Sequence, residues 1–289
     1  MGRVSSISLF FFLLAQGTAG LAAEEESKAA EPDGANEERD EERENGAEKE
    51  SGDEGSRDEG PETSPWAELE NEDYRFLGLR ARVIYVPEFM FGLFGADGGK
   101  AVVAPSIGPE YVTRRNGFEV ATWLTFTSYG MDDAPFKASS DPDEAYEIVK
   151  SEIKTITVGA DFLWTHPLNE KGLSLTYGGG AGIGVVFGKL YRNQAYPPSG
   201  PGDPETYVKC PGPNPAYGGY CATDNDHYGD YTEPNWLDGG AKPLLFPWIA
   251  LPQVGLRWKP SRQFAMRLDT GLSLPGPFFF GLSGQYGLL

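Results

Sequence analysis

FAMRLDTGLSLPGPFFFGLSGQYGLL, Phe264 to Leu289, is the stretch on which the fold turns. Phe264, Met266, Leu268, Leu272 and Leu274 share one parity, while Arg267, Asp269, Gly271 and Ser273 hold the other. Beyond Pro275-Gly276-Pro277, the residues Phe278, Phe280, Leu282, Tyr286 and Leu288 alternate with Gly281, Ser283, Gln285 and Gly287. Successive side chains of an extended strand point to opposite faces, so this reads as two strands, each with one apolar face. Such faces need a partner, either protein core or lipid.

The same period of two recurs upstream. Tyr74 to about Phe91 sets Leu77, Leu79, Val83, Tyr85, Phe89 and Phe91 against Arg80, Arg82 and Glu88. Val103, Ile107 and Tyr111 oppose Ser106, Gly108 and Glu110, with Pro105 and Pro109 weakening the ladder there. Asn116-Gly117, a strong hairpin signal, leads into Phe118, Val120, Leu124 and Phe126 opposite Glu119. Ile156, Val158, Phe162 and Trp164 oppose Asp161, and Leu173 to Phe187 carries Gly178, Gly180, Gly182 and Gly184 on its other face. Phe246, Trp248, Val254, Leu256 and Trp258 oppose Gln253 and Arg257. With the closing hairpin this makes eight strands. The long connections, Tyr129–Glu147 and Arg192–Leu245, both follow odd-numbered strands.

The 289 residues otherwise divide by composition. An apolar run from Ile7 to Ala15 followed by small residues reads as a secretory signal over residues 1–23, too short to span a membrane. Residues 24–65 hold 18 acidic against five basic side chains, most of the formal charge of −19, and almost nothing apolar. That composition predicts a disordered acidic spacer and speaks against nucleic acid as a partner. Residues 66–289 remain for one all-β domain.

Two features favour lipid outside over ligand inside. Arg80, Arg82, Glu88, Glu110, Glu119, Asp161, Arg257, Arg267 and Asp269 all fall on the polar parity, as charges lining a lumen do. Aromatic residues on the apolar parity sort by height into two belts. Tyr111, Phe118, Trp164, Trp258, Phe264 and Tyr286 lie near the short turns, whereas Phe126, Phe187, Trp248 and Phe280 lie near the long loops. The ten residues from Trp248 to Trp258 span roughly 33 Å along a strand, or about 25 Å in height at the tilt of a membrane barrel. A soluble lipocalin-like carrier would turn the apolar parity inward and gain nothing from such belts.

With the leader, the eight alternating segments, Trp164 and Trp258 at the short-turn ends and the terminal strand Phe278 to Leu288, residues 74–289 resemble the small eight-stranded outer-membrane barrels of Gram-negative bacteria, the OmpA and OmpX architecture. The resemblance implies an outer-membrane location with periplasmic termini, outer-membrane lipid and the barrel insertion machinery as partners, and an extracellular partner left unspecified. The chain departs from the usual aromatic last residue by ending on Leu289.

Little catalytic chemistry is visible. A hydrolytic site needs a base beside a nucleophile, and the two histidines, His166 and His227, fall in a short turn and in the long loop with no such neighbour in the pattern. No catalytic residue and no cofactor is expected, and the protein reads as non-enzymatic. Asp224, Asp226 and Asp230 resemble part of a calcium loop, but Tyr228 replaces a ligand and no closing glutamate follows, so no metal site is expected. The two cysteines, Cys210 and Cys221, are expected to pair in an oxidising compartment. The balanced lumen charges read as a salt-bridge plug, the alternative being a narrow porin-like conduit for small or apolar molecules. Function is placed in the long loop, whose Tyr196, Tyr207, Tyr217, Tyr220, Tyr228, Tyr231 and Trp236 suit a contact surface or a cap over the mouth.

Overall fold

A computed structural model of the protein describes residues 68–223 and 226–288. The leader expected over residues 1–23 and the acidic segment over 24–65 lie outside the described residues. Eight antiparallel strands form a ring: β1 (Tyr74–Val86), β2 (Val102–Arg115), β3 (Phe118–Ala138), β4 (Glu147–Pro167), β5 (Leu173–Phe187), β6 (Leu245–Trp258), β7 (Phe264–Leu274) and β8 (Phe278–Leu288). The last strand closes on the first from Arg75 opposite Leu288 to Tyr85 opposite Phe278. A closed ring leaves no strand edge unpaired, the condition for placing strands in a medium without water. The eight-stranded barrel expected from the alternation is therefore the fold.

Local sequence explains the joints. Asn116 and Gly117 both adopt positive φ, at 49° and 77°, the backbone that a two-residue β2–β3 hairpin requires. β2 runs unbroken through Pro105 and Pro109, both outward facing and exposed. On the inner face glycine makes room for charge. A Cβ at Gly180 would lie 2.3 Å from the Asp161 carboxylate, and one at Gly281 would lie 1.8 Å from that of Asp269.

One expected loop is corrected and the other is refined. Tyr129–Glu147 is largely strand, because β3 and β4 stay paired up to Phe136 opposite Glu147, leaving only residues 139–146 as a connection. The described part of Arg192–Leu245 is mostly irregular, as expected, but its first residues are held against this projecting hairpin. Residues Leu190–Gln194 pair with Glu147–Ser151 of β4, and Val208–Lys209 pair with Ala195 and Tyr196. His166 belongs to the end of β4, opposite Leu175, and not to a turn.

Candidate functional site

The outer wall is apolar in the described strands. Tyr111, Trp164, Trp258, Phe264 and Tyr286 are exposed at the short-turn end and Phe118 is half-buried there against Trp164 at 5.2 Å. Phe126, Phe187 and Phe280 are exposed at the other end, with Leu79, Val158, Ile183 and Leu268 outward between the two levels. Trp248 does not join the upper belt. It is 5 % exposed, inside the barrel, edge to face with Trp123 at 4.7 Å. Irregularities opposite β6, at Gly178/Gly180 and Gly271/Ser273, mark a bulge that leaves Leu251 and Pro252 both exposed. One extra residue reverses the parity of everything above it. The height drawn from Trp248 to Trp258 falls with that reversal. Phe118 to Phe126 on β3 replaces it, eight residues or about 26 Å along the strand, roughly 20 Å in height at the usual tilt.

Inside, the charged side chains of the lower and middle barrel meet. Arg80 binds Glu110 at 3.0 Å and Asp161 at 2.6 Å, and Arg82 binds Asp161 at 3.0 Å and Asp269 at 2.6 Å. Arg267 joins Glu110 at 3.1 Å and also pairs with Glu119, while Arg257 lies 3.6 Å from the second Glu119 oxygen. All eight of these groups are buried. Glu88 is not among them: the backbone turns helical at that residue, heading the short helix α1 (Phe89–Leu93), and its side chain is exposed. The same turn buries Phe91 at 4 % while Phe89 stays exposed, since residues two apart in a helix do not share a face.

Several lumen groups escape a reading by charge parity. Trp123 donates from Nε1 to Asp161 at 3.1 Å, Gln253 donates to Asp269 at 2.9 Å, and Gln285 donates to Glu110 at 2.7 Å. Phe279 lies under Arg82 at 4.5 Å. Trp123 and Phe279 are apolar residues on the polar parity, a signal that was present in the pattern. Glu68 comes from before the first strand and reaches under the barrel to Arg114, Arg257 and Lys259, the last two at 3.3 Å. Burial raises the Glu68 carboxyl, but these three cations, Arg257 first, hold it below the ordinary range.

Above the rim stands a folded cap. Cys210 and Cys221 form a disulfide with Cα atoms 5.6 Å apart. Tyr207 and Tyr220 are buried, packed edge to face at 6.0 Å, with Tyr146 5.3 Å from Tyr207. Tyr196 and Tyr217 stack at 4.2 Å and are half-buried. Tyr228 donates to the Ala222 carbonyl, and Tyr231 stacks on His227 at 4.2 Å. Trp236 is exposed beside Leu237, which at 80 % is the more prominent of the two. Most of the loop tyrosines thus build the cap, and Trp236-Leu237 is an exposed apolar pair beside the barrel mouth.

Arg192 fastens the cap to the hairpin through Glu147 at 2.6 Å and Glu233 at 2.9 Å, with His227 Nδ1 2.6 Å from the other Glu147 oxygen. Burial pushes the Glu147 carboxyl up, but the His227 hydrogen bond and the Arg192 charge outweigh it and hold the group below the ordinary range. Of the calcium-loop residues, Asp224 lies outside the described residues, while Asp226 and Asp230 are exposed. Among the described residues no group of three or more acidic, histidine or cysteine side chains is arranged to hold a metal ion.

No family model matches the chain, and no curated protein matches it. Solved structures do. Neisserial surface protein A aligns over 74 % of this chain and 92 % of its own, at 8 % identity and a TM-score of 0.35. Ail, the attachment invasion locus protein of Yersinia pestis, aligns over 76 % of this chain and 100 % of its own, at 12 % identity and a TM-score of 0.32. The translocator domain of the autotransporter NalP from Neisseria meningitidis aligns over 77 % and 89 %, at 10 % identity and a TM-score of 0.18. Identities and scores this low carry no function across to this chain.

Proposed function

We propose that this is an integral, non-enzymatic barrel of the bacterial outer membrane, with its termini in the periplasm and the disulfide-bonded cap outside the cell for surface contacts. The observation that carries the reading is the sorting of adjacent residues: Arg267 is buried among carboxylates while Leu268 is 56 % exposed on the outer wall. A soluble carrier would bury Leu77, Leu79, Val158, Ile183 and Leu268, and an apolar surface of that extent marks a lipid or partner interface. The ion-paired interior supports an anchor rather than a conduit, because eight strands leave only enough room for side chains.

Refolding the full chain tests it. The barrel should require detergent or lipid and float with liposomes. A monodisperse species in plain buffer would overturn the membrane reading. Replacing residues 195–238 with a short Gly/Ser linker should leave a detergent-stable barrel and remove adhesion of the producing cells. If adhesion, permeability and conductance all match the intact protein, the cap is not the functional part.

A further inference from the structure

At the mouth, above the charged side chains, the inner wall changes character. Phe91 meets Phe136 edge to face at 5.1 Å, and these two form a buried apolar cluster with Val149, Ile153, Val186 and Leu190. The cluster does not close on itself. With Phe246 and Trp236 it borders a cavity of ≈180 Å³. Protein interiors pack like organic crystals and keep few voids larger than a water. An apolar cavity of about 150 Å³ stays dry and takes up benzene.

Two further facts narrow the occupant. Thr155 borders the cavity, is 3 % exposed, and its hydroxyl has no hydrogen-bond partner in the protein. Lys137, a charged side chain on the wall, is already engaged by Asp97 at 3.0 Å. A charged ligand would therefore find no free counter-ion in this wall, whereas a single hydroxyl would find a match. Further in, Trp123 against Trp248 and the Arg82 pairs with Asp161 and Asp269 occupy the lumen.

We propose that the mouth cavity is a dead-end binding site for a small neutral apolar molecule of monocyclic aromatic size bearing one hydrogen-bonding group, the phenol class, with that group on the Thr155 hydroxyl. The site takes its ligand from the cap side and passes nothing through the barrel. It goes beyond the anchoring role and can fail without it.

The test uses the full chain in lipid nanodiscs, with 4-fluorophenol and fluorobenzene followed by fluorine NMR against empty nanodiscs. One saturable site per barrel is expected above simple partitioning into lipid. Val149→Phe and Val186→Phe fill the cavity from two different strands and should each abolish saturable binding, in samples whose detergent-resistant gel mobility shows a folded barrel. Thr155→Val keeps the shape and removes the hydroxyl, so 4-fluorophenol should weaken about five-fold, the loss of one neutral hydrogen bond, with fluorobenzene unchanged. Absence of a saturable component, or undiminished binding in both filled variants, overturns the site. Equal weakening of the two probes by Thr155→Val overturns the polar contact, and probe flux into protein-containing liposomes overturns the dead end.

Discussion

The lower barrel and its mouth are lined by the same strands and obey opposite chemistry. β4 sends Asp161 into the ion-paired interior and, farther up, Ile153 and Val149 into the apolar mouth. β3 sends Glu119 below and Phe136 above. Below, the lumen is narrow and every buried charge needs an opposite charge beside it, since an unpaired ion in a dry site costs several kcal/mol. Above, the one charged side chain of the cavity wall, Lys137, is met by Asp97, and the rest of the wall is apolar enough to leave space. Parity decides only whether a side chain faces in or out. Height then decides what the inside requires.

The sharpest way to break the comparison is to remove a charge from below. Arg267→Ala takes one cation from both Glu110 and Glu119, leaving Glu110 to Arg80 and Glu119 to the more distant Arg257 and Arg114, and should destabilise the barrel by about 3 kcal/mol, read as a lower urea midpoint in detergent. Val149→Ala, in the mouth, leaves no polar group behind and should cost less than half as much. Equal losses would erase the distinction.

Reversing the neighbouring residue tests the wall. Leu268→Arg places a charge on the lipid face one position from a buried arginine, and should cost about 2–4 kcal/mol near the midplane and lower the inserted fraction in liposome flotation. Normal insertion would show that the outer face is not in lipid.

Much of this was legible in alternation. Leu268 outward and Arg267 inward follow from a period of two, as does the glycine face of β5 that gives Asp161 its room. What was not legible has physical causes. A bulge at Leu251-Pro252 turns Trp248 inward, and no local pattern on β6 marks the lost register except that proline, which cannot donate to a ladder. Glu88 leaves the lumen because its backbone turns helical, a choice that the aromatic run after it does not reveal. The polar stretch after Tyr129 reads as loop because a strand pair projecting above the apolar outer wall needs no apolar face. Glu68 and the cavity depend on contacts between segments far apart in the chain, which periodicity cannot carry.

The cap yields effects confined to itself. Cys210→Ser with Cys221→Ser should loosen it by about 3 kcal/mol on the chain-entropy estimate, visible as faster amide exchange in residues 190–196 with the barrel unaffected. Acid should act in the same place. The Glu147 carboxyl lies below its ordinary value in the fold, so its contribution is present above about pH 4.3 and is lost as the pH falls through the lower, folded value. Amide protection factors of residues 190–196, taken relative to the intrinsic exchange rate at each pH, should therefore fall in acid, and Glu147→Gln should flatten that dependence. An unchanged profile in the variant would assign the acid response to another group.

Conductance of the full chain in a planar bilayer tests the division between a sealed interior and an outer anchor most directly. With insertion verified by protease protection, the ion-paired lumen predicts no unitary current steps, and Arg267→Ala should give no more than brief, irregular ones. Stable, ion-carrying openings of the unaltered protein would contradict it.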